Sequence, residues 1–146
     1  MAVEIFSAQA QALSGLQVKC TSRQFSMLLD EPSHLGGTDQ GMNPVEALLC
    51  SLAACKVIVA KAFAPFHQIN LKSLRIKIEG ELDPDGFLGK NKTAKIGFSQ
   101  IHTQFFIEAD NTPEQIQRFI NFVNSNCPVH DSLANAPCFT SELHLA

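Results

Sequence analysis

Residues 43–65, NPVEALLCSLAACKVIVAKAFAP, decide the fold of this chain. Asn43 is a favoured N-cap, Pro44 suits the first helical position, and Glu46 completes a capping signature of the capping-box kind. Apolar residues then recur on nearly every side of the predicted helix until Pro65 ends it. A long helix with so little polar surface must be covered on most sides. We therefore expect a homodimer in which two chains share the cover of this helix.

Strands are predicted on both sides of this helix, because apolar and polar residues alternate there with a period of two. The order β-β-β-α-β-β-α-α-β is an α+β pattern without repeats or linkers, so we predict a single domain over residues 1–146. The predicted strands are residues 3–12, 16–21, 25–29, 74–82, 95–109 (with a bulge near residue 100) and 138–145, and the later helices start at residues 113 and 128.

The composition is that of a folded globular protein. The chain has 146 residues, of which 45% are hydrophobic and 17% charged, and its formal net charge is -3. A phosphate-binding surface normally needs a basic excess, so no nucleic acid partner is expected. The N-terminus lacks the basic and apolar pattern of a signal peptide, and Glu46, Lys56 and Lys61 interrupt the apolar run, so no membrane span is expected. These observations favour a cytoplasmic protein.

The five cysteines do not form the pattern of a disulfide framework, because their number is odd and they are widely spaced. Cys127 is predicted at the N-cap of the helix that Pro128 starts, where free amides and the helix dipole favour a thiolate; a plain polar cap is the alternative. Cys55 lies inside the apolar helix, where burial favours an inert thiol. The other three are predicted to be packing residues: Cys20, Cys50 and Cys138.

No resident metal or bound cofactor is expected from the sequence. Cys127 and His130 have a Cys-x-x-His spacing, but structural zinc sites usually have two close ligand pairs and no second pair is present. The chain also lacks the Gly-x-Ser-x-Gly elbow of serine hydrolases and the glycine patterns of dinucleotide and phosphate loops.

Three segments together resemble one protein family. Residues 35–55, LGGTDQGMNPVEALLCSLAAC, and residues 126–133, NCPVHDSL, resemble the two signatures of the OsmC/Ohr superfamily, named for osmotically inducible protein C and organic hydroperoxide resistance protein. Residues 79–87, EGELDPDGF, fit its OsmC-like branch. The resemblance implies antiparallel sheets wrapped around long central helices in an intertwined homodimer, and a cysteine-based peroxidase that reduces organic hydroperoxides in stress defence.

The resemblance also implies roles for two cysteines. Cys55 would be the thiolate that attacks the peroxide and becomes a sulfenic acid, and Cys127 would be the resolving thiol that forms a disulfide with it. A dithiol reductant, often a lipoyl group in the peroxidase branch, would regenerate the pair by exchange.

Two further site residues are candidates by the same resemblance. In the peroxidase branch an arginine of the N-terminal sheet and a glutamate at the first helix stabilise the thiolate. Arg23 is the only arginine before the helix, and Glu46 is the acid at the helix start, although Val45 stands where the family has its glutamate directly after Asn-Pro. The candidate set is therefore Cys55, Cys127, Glu46 and Arg23.

Two other interpretations of the sequence stay open. The chain could keep the fold and both thiols but serve as a redox sensor or bind a small ligand in an apolar pocket, with weak or no peroxidase activity. Alternatively, the cysteines could be packing residues of a stress-associated structural protein.

Overall fold

The computed structural model describes residues 2–146, which form two compact units. One unit ends at Leu48, and the other covers Leu49–Ala146. The mixed architecture confirms the predicted α+β class, with small antiparallel sheets and helices. The prediction of a single domain over residues 1–146 stays a prediction.

The first unit contains three strands, β1 (Gln9–Ala12), β2 (Val18–Ser22) and β3 (Phe25–Leu29), which pair in that order in an antiparallel sheet. Strands β2 and β3 form a tight hairpin, in which Ser22 pairs with Phe25 and only two residues make the turn. Arg23 lies at the tip of this hairpin with a left-handed φ of 53°. Two-residue hairpins favour such backbone angles because they match the twist of the strands.

Asp30 organises the loop that follows β3. Its side chain is only 2% exposed and accepts hydrogen bonds from the backbone N–H groups of Glu31, Thr38 and Gln40 and from the Thr38 hydroxyl. The Thr38 hydroxyl is the main cause that lowers the pKa of Asp30 to about 2. A carboxylate with this many donors fixes the loop that leads to the first helix.

Helix α1 (Pro44–Phe63) begins as the sequence predicts. The Glu46 carboxylate accepts from the Asn43 N–H at 2.8 Å, and the Asn43 side chain accepts from the Glu46 N–H at 2.9 Å. This reciprocal pair is a capping box, which satisfies two backbone donors that the first helical turn leaves free.

The second unit is built on the hairpin of β4 (Leu71–Glu81) and β5 (Gln100–Ala109). Its apolar core joins α1 to the next long helix, α3 (Pro113–Asn126), which starts with a Thr112–Gln115 capping box. A one-turn helix, α2 (Pro84–Phe87), lies between the two strands, and α4 (Pro128–Ala134) follows α3 directly. The buried core consists of Val59, Ala60, Ala64, Ile69, Phe119 and Val123.

The structure corrects three details of the predicted strands. Residues 138–145 form no strand: they alternate in polarity, but no described strand pairs with them. The first strand begins at Gln9 rather than at residue 3. The irregularity in the long hairpin lies between Leu71 and Ser73 on β4 and not near Gln100, where β5 simply begins. Each of these features depends on what a strand pairs with, which a local pattern does not specify.

Helix α1 is buried on one face and exposed on another. Leu52, Val59 and Ala60 are buried, whereas Ile58 is 66% exposed and Phe63 is 41% exposed. No helix within residues 2–146 is both long and apolar enough to cross a membrane.

Candidate active site

Cys55 lies on the face of α1 that turns toward the core. The buried residues of α1 include Leu52, Lys56 and Val59, which recur at three- and four-residue spacing around Cys55. Cys55 itself is half-buried and packs against the core cluster. The helical spacing therefore places this thiol in an apolar environment that still leaves part of the side chain accessible.

Cys127 lies at the junction of two helices. It follows Asn126, the last residue of α3, and precedes Pro128, the first residue of α4, with an extended backbone. The side chain is 1% exposed, and its sulfur accepts a hydrogen bond from the backbone N–H of His130 at 3.4 Å. The predicted N-cap position of Cys127 is confirmed.

The fold brings Cys55 and Cys127 next to each other, although they are far apart in the sequence. Burial is the main cause that raises the pKa of the Cys55 thiol, and the neighbouring Cys127 raises it further. The backbone N–H of Val129 and the charge of Lys56 act in the opposite direction and lower that pKa. None of the five cysteines forms a disulfide in this structure. Two adjacent thiols of this kind can be oxidised to a disulfide and reduced again.

Lys56 is a buried cation beside the two thiols. Its side chain is 2% exposed, and its Nζ donates a hydrogen bond to Oδ1 of Asn124 at 2.6 Å. The same Nζ lies 5.8 Å from the centroid of the Phe105 ring. Burial lowers the pKa of Lys56, whereas the negative charge that Cys127 or Cys55 can carry raises it.

A polar pocket of about 270 Å³ opens beside Asn124 and His130. Burial is the main cause that lowers the pKa of His130, and Lys56 lowers it further, while Asp131 raises it. The imidazole is therefore kept in its neutral form at neutral pH. The residues that line the pocket are Asn124, Ser125, His130, Asp131, Ala134 and Asn135.

The two other predicted site residues, Glu46 and Arg23, belong to the first unit and have contacts within it. The Glu46 carboxylate is engaged by Asn43 in the capping box. The Arg23 guanidinium lies 5.0 Å from the centroid of the Phe25 ring on the same hairpin. The roles of both residues in a thiol site stay predictions.

Two residues of this site, Lys56 and Asn124, are not among the candidates that the sequence predicts. In the sequence Lys56 interrupts an apolar run, but it lies four residues after Leu52 and three before Val59, which places it on the buried stripe. A buried lysine needs a polar or charged partner, so its position in the helical pattern is the feature of the sequence that could have identified Lys56. Asn124 gave no comparable signal. The prediction that Cys50 and Cys138 are packing residues is wrong for this chain, since both are exposed, while Cys20 is half-buried.

The described part of the chain offers no evident metal centre. Within residues 2–146, no three His, Cys, Asp or Glu side chains come together in a group that could hold a metal ion.

The fold and a pair of neighbouring thiols beside the core of the second unit define a class of protein, and the sequence matches that class. Residues 37–142 match the OsmC-like protein family, and the chain belongs to this family. Two similar proteins are named hydroperoxide reductase. That of Mycoplasma pneumoniae is 33% identical over 77% of this chain and 74% of its own length, and that of Mycoplasma genitalium is 31% identical over 80% and 77%.

A solved structure agrees with this assignment. The crystal structure of an OsmC-like protein from Mycoplasma pneumoniae superposes with a TM-score of 0.80 and 28% identity, over 91% of this chain and 89% of that one. The predicted family and its antiparallel α+β fold are confirmed.

Proposed function

We propose that this chain is a thiol-dependent peroxidase that reduces organic hydroperoxides, with Cys55 as the attacking thiolate and Cys127 as the resolving thiol. The observation that carries the proposal is the proximity of these two cysteine side chains, one on α1 and one at the start of α4. The names of the two Mycoplasma relatives, hydroperoxide reductase, support the same reaction class.

The reaction balances with two thiols and an external dithiol. The Cys55 thiolate attacks one oxygen of the hydroperoxide, the O–O bond breaks, and the alkoxide leaves as an alcohol after taking a proton. Cys55 is then a sulfenic acid. The Cys127 thiol attacks that sulfur, a disulfide forms, and water leaves. A dithiol reductant, such as a lipoyl group, reduces this disulfide by exchange and is itself oxidised to a disulfide.

The surroundings of Cys55 favour an organic over an inorganic peroxide. The thiol packs against an apolar cluster, so that the alkyl or aryl part of a substrate gains from leaving water near it. Hydrogen peroxide has no apolar group and gains nothing from this environment. The proposed location is the reducing cytoplasm, where a dithiol donor keeps the pair reduced.

We also propose that two chains form a homodimer through α1. Ile58 and Phe63 are large apolar side chains on this helix, and the single chain leaves them 66% and 41% exposed. Covering such residues with a second copy removes apolar surface from water, which stabilises the assembly. In that assembly, Glu46 and Arg23 are the proposed thiolate partners that the family resemblance implies.

The test is consumption of cumene hydroperoxide with a dithiol donor. We expect turnover by the native protein and by Cys50→Ser, a matched control because Cys50 is an exposed thiol on the same helix. Cys55→Ser should lose turnover, and Cys127→Ser should consume about one equivalent of peroxide and then stop. The proposal is wrong if the native protein turns over no faster than Cys55→Ser.

One observation favours a second function, that of a redox sensor with little turnover. Burial raises the pKa of Cys55, which lowers the fraction of reactive thiolate. In that case a single oxidation to the Cys55–Cys127 disulfide would be complete under excess peroxide, yet added dithiol would not sustain peroxide consumption.

A further inference from the structure

Lys56 is a buried lysine that lacks the usual counter-charge. Its side chain is 2% exposed, and among the ion pairs formed within residues 2–146 none joins Lys56 to a carboxylate. Buried ammonium groups are costly to desolvate and are normally paired with an anion. A neighbouring group other than Asp or Glu must therefore supply the negative charge that stabilises the buried Lys56 ammonium.

The groups that surround Lys56 show which of them can supply this negative charge. From α3, Asn124 contributes a neutral amide oxygen at 2.6 Å, and from β5, Phe105 contributes an aromatic ring. The ionisable groups that interact with it are Cys55 on its own helix and two residues at the start of α4, Cys127 and His130. His130 supplies no negative charge, so the two thiols are the available anions.

We propose that the Lys56 ammonium, oriented by Asn124, is the cation within the same chain that stabilises the thiolate of the Cys55–Cys127 pair. Lys56 acts here through charge, and Asn124 is a positioning residue that holds the ammonium by its amide oxygen. The proposal rests on the proposed function in that Cys55 reacts as a thiolate, but it concerns the charge of the thiol and not the fate of a peroxide.

The arrangement has a reciprocal consequence. A charged lysine lowers the pKa of a neighbouring thiol, and a thiolate raises the pKa of the lysine by the same interaction. His130 contributes little positive charge to the site, because burial and Lys56 itself lower its pKa. Within the single chain, the positive charge that opposes the effect of burial on Cys55 is therefore that of Lys56.

The experiment measures how the reactivity of the Cys55 thiol depends on pH. Reduced protein is alkylated with iodoacetamide across a pH series, and the extent of modification at Cys55 is followed by peptide mass spectrometry. Three variants are compared with the native chain: Lys56→Met, which keeps a long side chain without charge; Lys56→Arg, which keeps the charge; and Lys61→Met, which removes an exposed charge from the same helix. Circular dichroism checks that each variant folds.

We expect the alkylation midpoint of Cys55 in Lys56→Met to move up by about one pH unit, which makes alkylation at neutral pH about tenfold slower. Lys61→Met should follow the native profile, and Lys56→Arg should lie closer to the native protein than to Lys56→Met. An unchanged profile in Lys56→Met overturns the proposal. An equal loss in Lys56→Met and Lys56→Arg also overturns it, because the effect would then follow from packing and not from charge.

Asn124→Leu tests the positioning part. This variant keeps the approximate size of the side chain and removes the acceptor, so a smaller upward shift is expected; a native profile would contradict the role of Asn124. No peroxide enters these measurements. A chain without peroxidase activity can still show the Lys56 effect, and an active peroxidase can fail to show it, so the two proposals fail independently.

Discussion

Phe119 belongs to the buried core that joins α3 to α1, and its truncation gives the sharpest stability prediction. The side chain is 1% exposed and belongs to the buried core of the second unit, with the Phe122 ring centroid at 6.4 Å and the His67 ring centroid at 5.5 Å. Phe119→Ala removes the whole ring from this packed environment. Large-to-small changes of this kind lose the transfer free energy of the ring and leave a cavity.

The expected cost is about 3–5 kcal/mol of the free energy of unfolding. That is a large share of the roughly 5–15 kcal/mol by which domains are stable. With a slope in urea of about 2 kcal/mol per molar, the unfolding midpoint should fall by about 1.5–2.5 M. The assay is equilibrium urea unfolding followed by circular dichroism, at one fixed protein concentration because a dimer would make the midpoint depend on it.

Gln117→Ala is the control, because Gln117 is exposed on the same helix and its change should shift the free energy of unfolding by less than about 0.5 kcal/mol. A loss below about 1 kcal/mol in Phe119→Ala would refute the placement of this ring in the core. Because α3 also carries Asn124, Phe119→Ala should also weaken the hydrogen bond from the Lys56 ammonium to Asn124.

Three further predictions follow from local geometry. Thr112→Ala should lower the free energy of unfolding by about 1 kcal/mol in urea unfolding, because the Thr112 hydroxyl caps α3 by accepting from the Gln115 N–H at 3.2 Å; an unchanged value would argue against this cap. Gly37→Ala should make the loop around it more sensitive to limited proteolysis, because a Cβ there would collide with the Glu31 carbonyl oxygen; native resistance would contradict the close approach. The pKa of Asp30 is about 2 in the folded protein against an ordinary value of 3.8, so the stabilisation by its carboxylate is present above pH 3.8 and is lost as the pH falls toward 2. The difference in thermal midpoint between the native protein and Asp30→Asn should therefore shrink over that pH range. A constant difference would refute this role of Asp30.

The long helix and its start could be read from neighbouring residues alone. Asn43, Pro44 and Glu46 form a cap whose groups are all within one helical turn, so the capping box predicted from the sequence is present in the structure. The same holds for Thr112 at the start of α3 and Cys127 at the start of α4. Caps are local, and local sequence specifies them.

The strands could be predicted less well from neighbouring residues alone. Residues 138–145 alternate in polarity like a strand, yet none of the described strands pairs with them. The exposure of Cys50, predicted to be buried, has a similar origin, because the helical pattern shows that a face is apolar but not what covers it. Pairing and cover involve residues that are distant in the sequence.

The sequence by itself determined the helices, their caps, the α+β class and, through the family signatures, the two cysteines to consider. Only the tertiary structure placed Cys55 beside Cys127 and put a buried lysine next to both. The sequence pattern around Cys55 indicated an inert thiol, because local composition reports burial but not the charges that a folded chain brings near. Lys56 stands next to Cys55 in the sequence, but the partner that holds it, Asn124, comes from another helix. Helical spacing fixes which residues share a face, whereas the packing of separate helices decides which charge meets which thiol.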